Sequence, residues 1–369
     1  MKGCKKKVII LIVTVAWLLT TLSGCARTNH VLDGSQEVAR VGEDSITLGV
    51  ANFFIRMQQA HLEPIYTMWW QMTPEELWQA EVEAGVTFEQ SMRLGLLEEL
   101  ENLFIFRQRA EALGVSLTAE EIAAIEAVVD QFLAENETDA LSVVSGERSY
   151  IMTLLELITL SHDVSDAIRA TAAPNITRED ALQKYMEFVL FPFETTDAEG
   201  HQMILSEGEI EMLRMTAEEF VTTVLSTEGH DMNIVAEAFD IELHSGSFDE
   251  ESIIAPWEVL HTAWNLSAEG EVSGVIEAEN GFYVVKLISL YDEEATAERI
   301  AMLVDEYEQE FFLSTLEQWR EETEITRHLN VLERIDIIGL GIAAPEPEII
   351  PEPEDDTESE EDEESEEDE

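Results

Sequence analysis

Cysteine is nearly absent from this chain: Cys4 and Cys25 are the only two in 369 residues. Both fall at the start, so the rest holds no disulfide, no thiolate zinc cluster and no thiol nucleophile, and stability has to come from a packed core. Basic residues are scarce too, 20 Lys and Arg against 79 Asp and Glu, a formal net charge of −59. Phosphate backbones are held by clustered Lys and Arg. Nucleic acid is therefore excluded as a partner, and cationic partners or divalent metal ions suit the surface better. The patterns G-x-S-x-G, G-x-x-x-x-G-K-[ST], G-x-G-x-x-G and H-E-x-x-H are also missing, which removes the minimal residues of serine hydrolases, P-loop enzymes, dinucleotide binders and zincins. The eight histidines, His30, His61, His162, His201, His230, His244, His261 and His328, lack ligand spacing. No cofactor and no metal site is expected. His230, His244 and His261 share one segment and either meet in space or stand as separate singles.

What is present suits a globular protein with additions at both ends. Hydrophobic residues make up 45% and charged residues 27%, enough for two compact domains with ordinary cores. Lys2, Lys5, Lys6 and Lys7 precede the apolar run Val8–Leu19, the layout of a signal peptide. An uncleaved single-pass anchor is the alternative, and the run is short for a hydrocarbon core of about 30 Å. Leu22-Ser23-Gly24-Cys25 resembles the lipobox of bacterial lipoproteins. That resemblance implies cleavage before Cys25, lipidation of its sulfur, and a body working on the extracytoplasmic face of the cell membrane.

The opposite end is a run of acid. Residues Pro345 to Glu369 carry sixteen acidic side chains and no basic one, a composition that cannot bury enough apolar area to offset its ordering entropy. We expect a disordered, solvated tail, serving either to collect calcium or basic client segments or simply as a solubilising bristle. Without leader and tail, 16 basic and 63 acidic residues remain, a net of −47, so the body itself is acidic.

Between the ends the pattern changes once. Val38–Thr47 alternates around Gly42-Glu43-Asp44 and predicts a short hairpin, after which Thr47 caps a helix through Ala60. Thr73-Pro74-Glu75-Glu76 and Thr118 with Glu121 are helix starts. Met92, Leu96, Leu97, Leu100, Leu103, Phe104 and Phe106 recur at helical steps and predict a core-facing stripe rather than a client groove. Tyr150–Ala170 predicts a further helix, and Ala172-Ala173-Pro174-Asn175 a boundary. Beyond it Thr177 with Asp180 predicts a helix start, Met186–Phe193 a strand, Ser206 with Glu209 and Thr216 with Glu219 two helix caps, and Asp231–Phe239 a short helix. Ile241–Phe248, a helix after Pro256, Val275–Glu277 and Phe282–Leu290 complete a β-α-α-β-α-β-β order, an α+β domain.

Several of these residues resemble one family. Gly270-Glu271-Val272-Ser273-Gly274-Val275, followed by Asn280-Gly281-Phe282-Tyr283-Val284-Val285-Lys286-Leu287, is similar to the closing hairpin of parvulin-type peptidyl-prolyl isomerases. Glu187-Phe188-Val189-Leu190 falls at that family's first strand, and Gly229–Ala236 resembles its "G.dF..lA" helix. Val38–Thr47 and the pair Arg109–Val115 with Thr118–Ile122 resemble the flanks of SurA/PrsA-class extracytoplasmic foldases. The resemblance covers about 38–330 in patches. It implies a mostly helical chaperone part, built from both ends of the body, with a parvulin-like domain inserted. The expected boundaries are a signal peptide at 1–24, a lipidated tether at 25–37, a helical part at 38–174, a parvulin-like domain at 175–291, a C-terminal helical completion at 292–344 and the tail at 345–369.

The departures bear on activity. Active parvulins place a histidine in the first strand and another in the last hairpin; the matching positions here are Phe188 and Tyr283, so both imidazoles are missing. A tyrosine hydroxyl still donates and accepts, whereas a phenyl ring only packs. Isomerase activity is expected to be weak or absent, the alternatives being an active isomerase with a rearranged pocket or a non-catalytic envelope scaffold. The resemblance places Val259 and Trp264 near apolar client-pocket positions, with Met232 counted among them; Trp264 either grips clients or anchors the core. Trp69-Trp70, beside Met68 and Met72, is either a client surface or ordinary packing. Adjacent helical residues point about 100° apart, so one indole is expected inside and one outside. The expected partners are unfolded or partly folded exported proteins, the membrane through the Cys25 lipid, and divalent cations at the tail.

Overall fold

The computed structural model describes residues 32–196 and 202–338. The leader, Cys25, most of the tether and the acidic tail lie outside the described residues. The chain is α+β, dominated by helices, and its contacts divide it into two units: residues up to Ile168 with those from Thr315 onward, and Arg169–Ser314.

In the first unit, β1 (Glu37–Val41) and β2 (Asp44–Thr47) form a hairpin around Gly42, whose positive φ of 53° suits the tight turn. A third strand, β11 (Ile325–Arg327), pairs antiparallel with β1 through Ala39, Arg40 and Val41. Helix α1 (Leu48–Trp70) follows at once. It runs ten residues past the expected end at Ala60 and through Pro64. Proline there forfeits one backbone hydrogen bond, but the Thr67 hydroxyl donates to the carbonyls of Glu63 and Pro64, and the Tyr66 and Trp70 rings stack at 5.1 Å. Thr47 is the N-cap residue, yet its side chain caps nothing, which corrects the expectation from its residue type.

Helix α2 (Pro74–Gln79) starts on a capping box between Thr73 and Glu76, and the hairpin of β3 (Glu81–Glu83) and β4 (Val86–Thr87) leads into α3 (Phe88–Ala110). The expected α3 stripe is buried from Leu96 to Phe106, with Met92 half-buried. A single 3-10 turn at Glu111–Leu113 precedes α4 (Ala119–Glu135), which has the Thr118–Glu121 capping box, then α5 (Thr138–Val143) and α6 (Arg148–Thr171).

Glu101 of α3 is fully buried and binds the end of the chain. It accepts from Arg327 Nε and Nη2, both at 2.7 Å, and from Arg320 Nη2 at 3.0 Å. Arg320 belongs to the long helix α10 (Glu293–Glu322), and α11 (Leu329–Leu332) follows β11.

The second unit is built on one four-stranded antiparallel sheet. Its strands are β5 (Lys184–Pro192), β8 (Leu243–Phe248), β9 (Ile276–Ala278) and β10 (Gly281–Ser289), in spatial order β8-β5-β10-β9. A small hairpin, β6 (Glu194–Thr196) with β7 (Gln202–Ile204), follows β5. Helices α7 (Glu207–Ser226), α8 (Met232–Phe239) and α9 (Trp257–Trp264) complete the β-α-α-β-α-β-β order.

Two expectations fail locally. Thr177 and Asp180 do make reciprocal capping bonds, but residues 178–181 form only a turn, because the chain must enter β5 at Lys184 and one turn cannot offset the cost of helix nucleation. Thr216 starts no second helix; it lies inside α7, and its hydroxyl donates to the Met212 carbonyl.

Candidate functional site

Alternation along the sheet sorts the second unit's side chains into two cores. One face gathers Met186, Phe188, Tyr283, Val285, Leu287, Ile276 and Phe248 under Val259, Leu260 and Ala263 of α9. The other gathers Val189, Phe191, Phe282 and Val284 under Phe220 and Val224 of α7 and Met232, Val235 and Ala236 of α8. Phe188, Tyr283, Val259 and Trp264 are thus brought to one face. Met232 is fully buried on the opposite face, apart from them.

The segment Gly270–Ser273 runs along β10 on the side of β9, beyond the residues that β9 pairs with. Gly270 has φ +81°, its N–H donates to the Leu287 carbonyl, and the Ser273 N–H donates to that of Val285. The buried Ser273 hydroxyl accepts from the Val285 N–H at 2.9 Å. Glu271 accepts from the backbone of Ser267 and Ala268, which holds its carboxyl below the usual carboxylate range. Gly270, Glu271 and Ser273 of the motif are therefore explained by hydrogen bonding within the domain, and Val272 and Val275 by packing against its core.

At the two aligned positions, Phe188 lies 6.2 Å from Tyr283, centroid to centroid, and both rings are buried. The Tyr283 hydroxyl exchanges hydrogen bonds with the Asn280 carboxamide at 3.0 and 3.2 Å. An imidazole is present nonetheless. His244 of β8 pairs directly with Phe188 and its ring lies 5.2 Å away at 30°. His230 instead meets the Gly270 carbonyl and His261 meets Glu250, so the three histidines have separate partners. Among the described residues no group of His, Cys, Asp and Glu is arranged to hold a metal ion.

Val259 is fully buried, and Trp264 is half-buried with its edge on Phe248. The Lys184 ammonium sits 4.8 Å above the Trp264 ring and donates to the carbonyls of Trp264 and Leu266, satisfying the end of α9. Desolvation lowers the Lys184 pKa. The apolar side chains that α9 and its approach present to solvent are others: Ile253, Ile254 and Trp257, 97%, 41% and 62% exposed. Trp257 stacks on His261 at 4.9 Å. Sequence reasoning missed these three; the signal available was that Trp257 opens a helix on the side away from the buried Val259, Leu260 and Ala263.

The first unit carries a second exposed apolar cluster at the end of α1. Met68 and Trp69 are about 70% exposed, Trp70 47% and Met72 39%. Trp70 is braced against Tyr66 and Phe88, while Trp78 beneath is buried, stacks on Phe88 and donates from Nε1 to Glu63 at 2.6 Å. Both adjacent indoles face solvent, in place of the expected one inside and one outside. The buried tryptophan of this region is Trp78.

No family model matches the sequence, and no curated protein matches it. Solved structures do match, with low identity. A SurA-like chaperone of Campylobacter jejuni shares 12% identity over 79% of this chain and 99% of its own, with a TM-score of 0.28. The foldase PrsA of Streptococcus pneumoniae shares 16% over 71% and 91%, with a TM-score of 0.21, and PrsA of Bacillus subtilis 11% over 82% and 98%, also at 0.21. This chain is similar to SurA-like chaperones and PrsA foldases at that level. Scores this low transfer no residue roles; the fold class rests on the element order and strand register above. No helix among the described residues is long and apolar enough to cross a membrane.

Proposed function

We propose that this protein is an extracytoplasmic foldase-like chaperone, anchored to the cell membrane through a lipid on Cys25, that captures apolar segments of unfolded exported proteins. The helical part at 38–174 with 292–344 and the parvulin-like domain at 175–291 share that work, and Val259, Trp264 and Met232 support the domain's apolar interior. The observation that carries the reading is the cluster Met68, Trp69, Trp70 and Met72, exposed on an otherwise strongly acidic chain. Contiguous exposed apolar surface marks an interaction site, and methionine with aromatic rings adapts to many apolar partners. The acidic body and tail would keep loaded complexes apart, favour basic clients and attract divalent cations.

Isomerisation is the second reading, and His244 favours it. Rotating a prolyl amide takes about 18–20 kcal/mol, and no covalent step is needed to lower that. A pocket has only to hold the ring and stabilise the twisted amide. Here Phe188 would pack the ring, while the Tyr283 hydroxyl and the His244 imidazole supply polar groups beside it. The Tyr283 hydroxyl is already engaged by Asn280, so weak catalysis or none is the expectation.

Capture is tested by suppression of aggregation. The soluble body should raise the yield of a chemically unfolded client, and Trp69→Asp with Trp70→Asp should remove at least half of that effect. Yield unchanged by the wild-type protein would contradict the chaperone reading and leave a scaffold.

A further inference from the structure

The stretch that builds the aromatic end of α1 offers solvent no cation. From Met57 to Phe106 the sequence holds a single Lys or Arg, Arg93, and Arg56 stands just before it. Both are buried and engaged: Arg56 donates to Gln59 and to the Asp336 carbonyl, and Arg93 pairs with Glu89. Acids take the surface instead. Glu75 and Glu76 open α2 just after Met72, and Glu81 and Glu83 alternate with Val82 along β3; all of these are exposed. They border the cluster. Thr73, next to Met72, fixes the Glu76 carboxylate by donating from its N–H and its hydroxyl, and Glu81 is the strand partner of Thr87, which precedes the Phe88 ring that braces Trp70.

Trp69 adds an open aromatic face. It is 70% exposed, and among the described residues no ring stacks on it and no cation sits over it. An indole face is the strongest aromatic partner for Lys or Arg. Three kinds of surface compete to cover this end of α1. A second copy would set the same glutamates against themselves in a self-complementary contact. An anionic lipid surface meets the same repulsion. A polypeptide segment that carries Lys or Arg beside apolar side chains meets neither, and gains at once from apolar burial and from the carboxylates.

We propose that the end of α1 selects, among unfolded segments, those in which Lys or Arg lies close beside an apolar or aromatic pair. The apolar side chains take the surface of Trp70 and Met72, while the cation meets the Trp69 face or the glutamates of the rim. The Arg56 and Arg93 charges are kept inside, where they do not oppose it. This inference rests on the chaperone reading above, because it names the segments captured there.

The test titrates the full chain by calorimetry with two peptides, Lys-Lys-Leu-Phe-Ile-Leu-Lys-Lys and the same core flanked by Gln. At about 50 mM salt the Lys peptide should bind at least about fivefold more tightly, since several weak exposed ion pairs act together, and at about 1 M the gap should close. Trp69→Ser, at a ring that braces no other, should weaken both peptides. E75Q/E81Q/E83Q should remove at least half of the Lys advantage. E218Q/E219Q/E237Q, which takes the same charge from exposed positions on α7 and α8, should leave most of it. Equal affinity for the two peptides, or an equal loss in both triple variants, would overturn local selection and leave capture standing. Binding of neither peptide would overturn it together with the chaperone reading. A dimer that Trp69→Ser dissolves would overturn it in favour of a second copy, and displacement of the Gln peptide by anionic phospholipid vesicles in favour of a membrane surface.

Discussion

Replacing Glu101 by alanine should loosen the seam that joins α3 to the returning end of the chain. The carboxylate is fully buried and accepts three charge-assisted hydrogen bonds from Arg320 and Arg327. Its removal leaves two guanidinium groups facing a void. Breaking a buried pair from one side costs about 3–5 kcal/mol. The Arg320 and Arg327 side chains are 26% and 30% exposed, so water recovers part of their solvation, and the low end, about 3 kcal/mol, is the expected loss. With a urea dependence of roughly 1–3 kcal/mol per molar, the unfolding midpoint of the first unit should fall by about 1–3 M. Trp319, 6.4 Å from Phe106 in the same seam, reports it by fluorescence. Glu101→Gln keeps the volume and one acceptor and should lose about half as much. A Glu101→Ala midpoint within about 0.3 M of wild type would refute the reasoning, since it would mean that strand pairing with β1 and packing hold β11 and the end of α10 without the carboxylate.

Three further outcomes follow from the second unit. Trp257→Ala should lower client capture with little change in stability, because the ring is 62% exposed and stacks only on His261, whereas Trp264→Ala should cost about 3 kcal/mol in thermal or urea unfolding. Gly281→Ala should abolish or badly weaken the fold seen by circular dichroism, because its Cβ would lie 2.3 Å from the Phe191 carbonyl oxygen across the β10–β5 pair. Glu271 has a folded-state pKa below its ordinary 4.5, owing to the backbone N–H groups of Ser267 and Ala268. Its stabilisation is present above that value and lost as pH falls through the folded one. Glu271→Gln should therefore show a shallower fall in melting temperature between about pH 5 and pH 3 than wild type; an equal fall would mean that other carboxylates carry the acid sensitivity.

Local chemistry was legible in the sequence where a single short segment decides it. The capping boxes at Thr73 and Thr118, the first hairpin and the β-α-α-β-α-β-β order all follow from spacings of a few residues. What required distant partners was not. β11 is three residues long and pairs with a strand nearly 290 positions earlier, so neither its pattern nor its length announces it. The Thr177–Asp180 pair has the residues of a helix start, but the strand that follows decides the outcome. The candidate site was legible in part: Phe188 and Tyr283 share one face, while His244 enters it through strand pairing, and exposed Trp257 rather than Trp264 follows from which side of α9 the sheet covers. Trp69 and Trp70 stood out by composition, but only Trp78 taking the interior explains why both stay outside.

The most direct test of the central claim is a proline-limited refolding assay on residues 26–344, scoring client yield and slow-phase rate together. The account predicts a higher yield with the slow phase unchanged. A faster slow phase that is lost on Tyr283→Phe or His244→Ala would contradict it and make this protein an isomerase with a rearranged pocket.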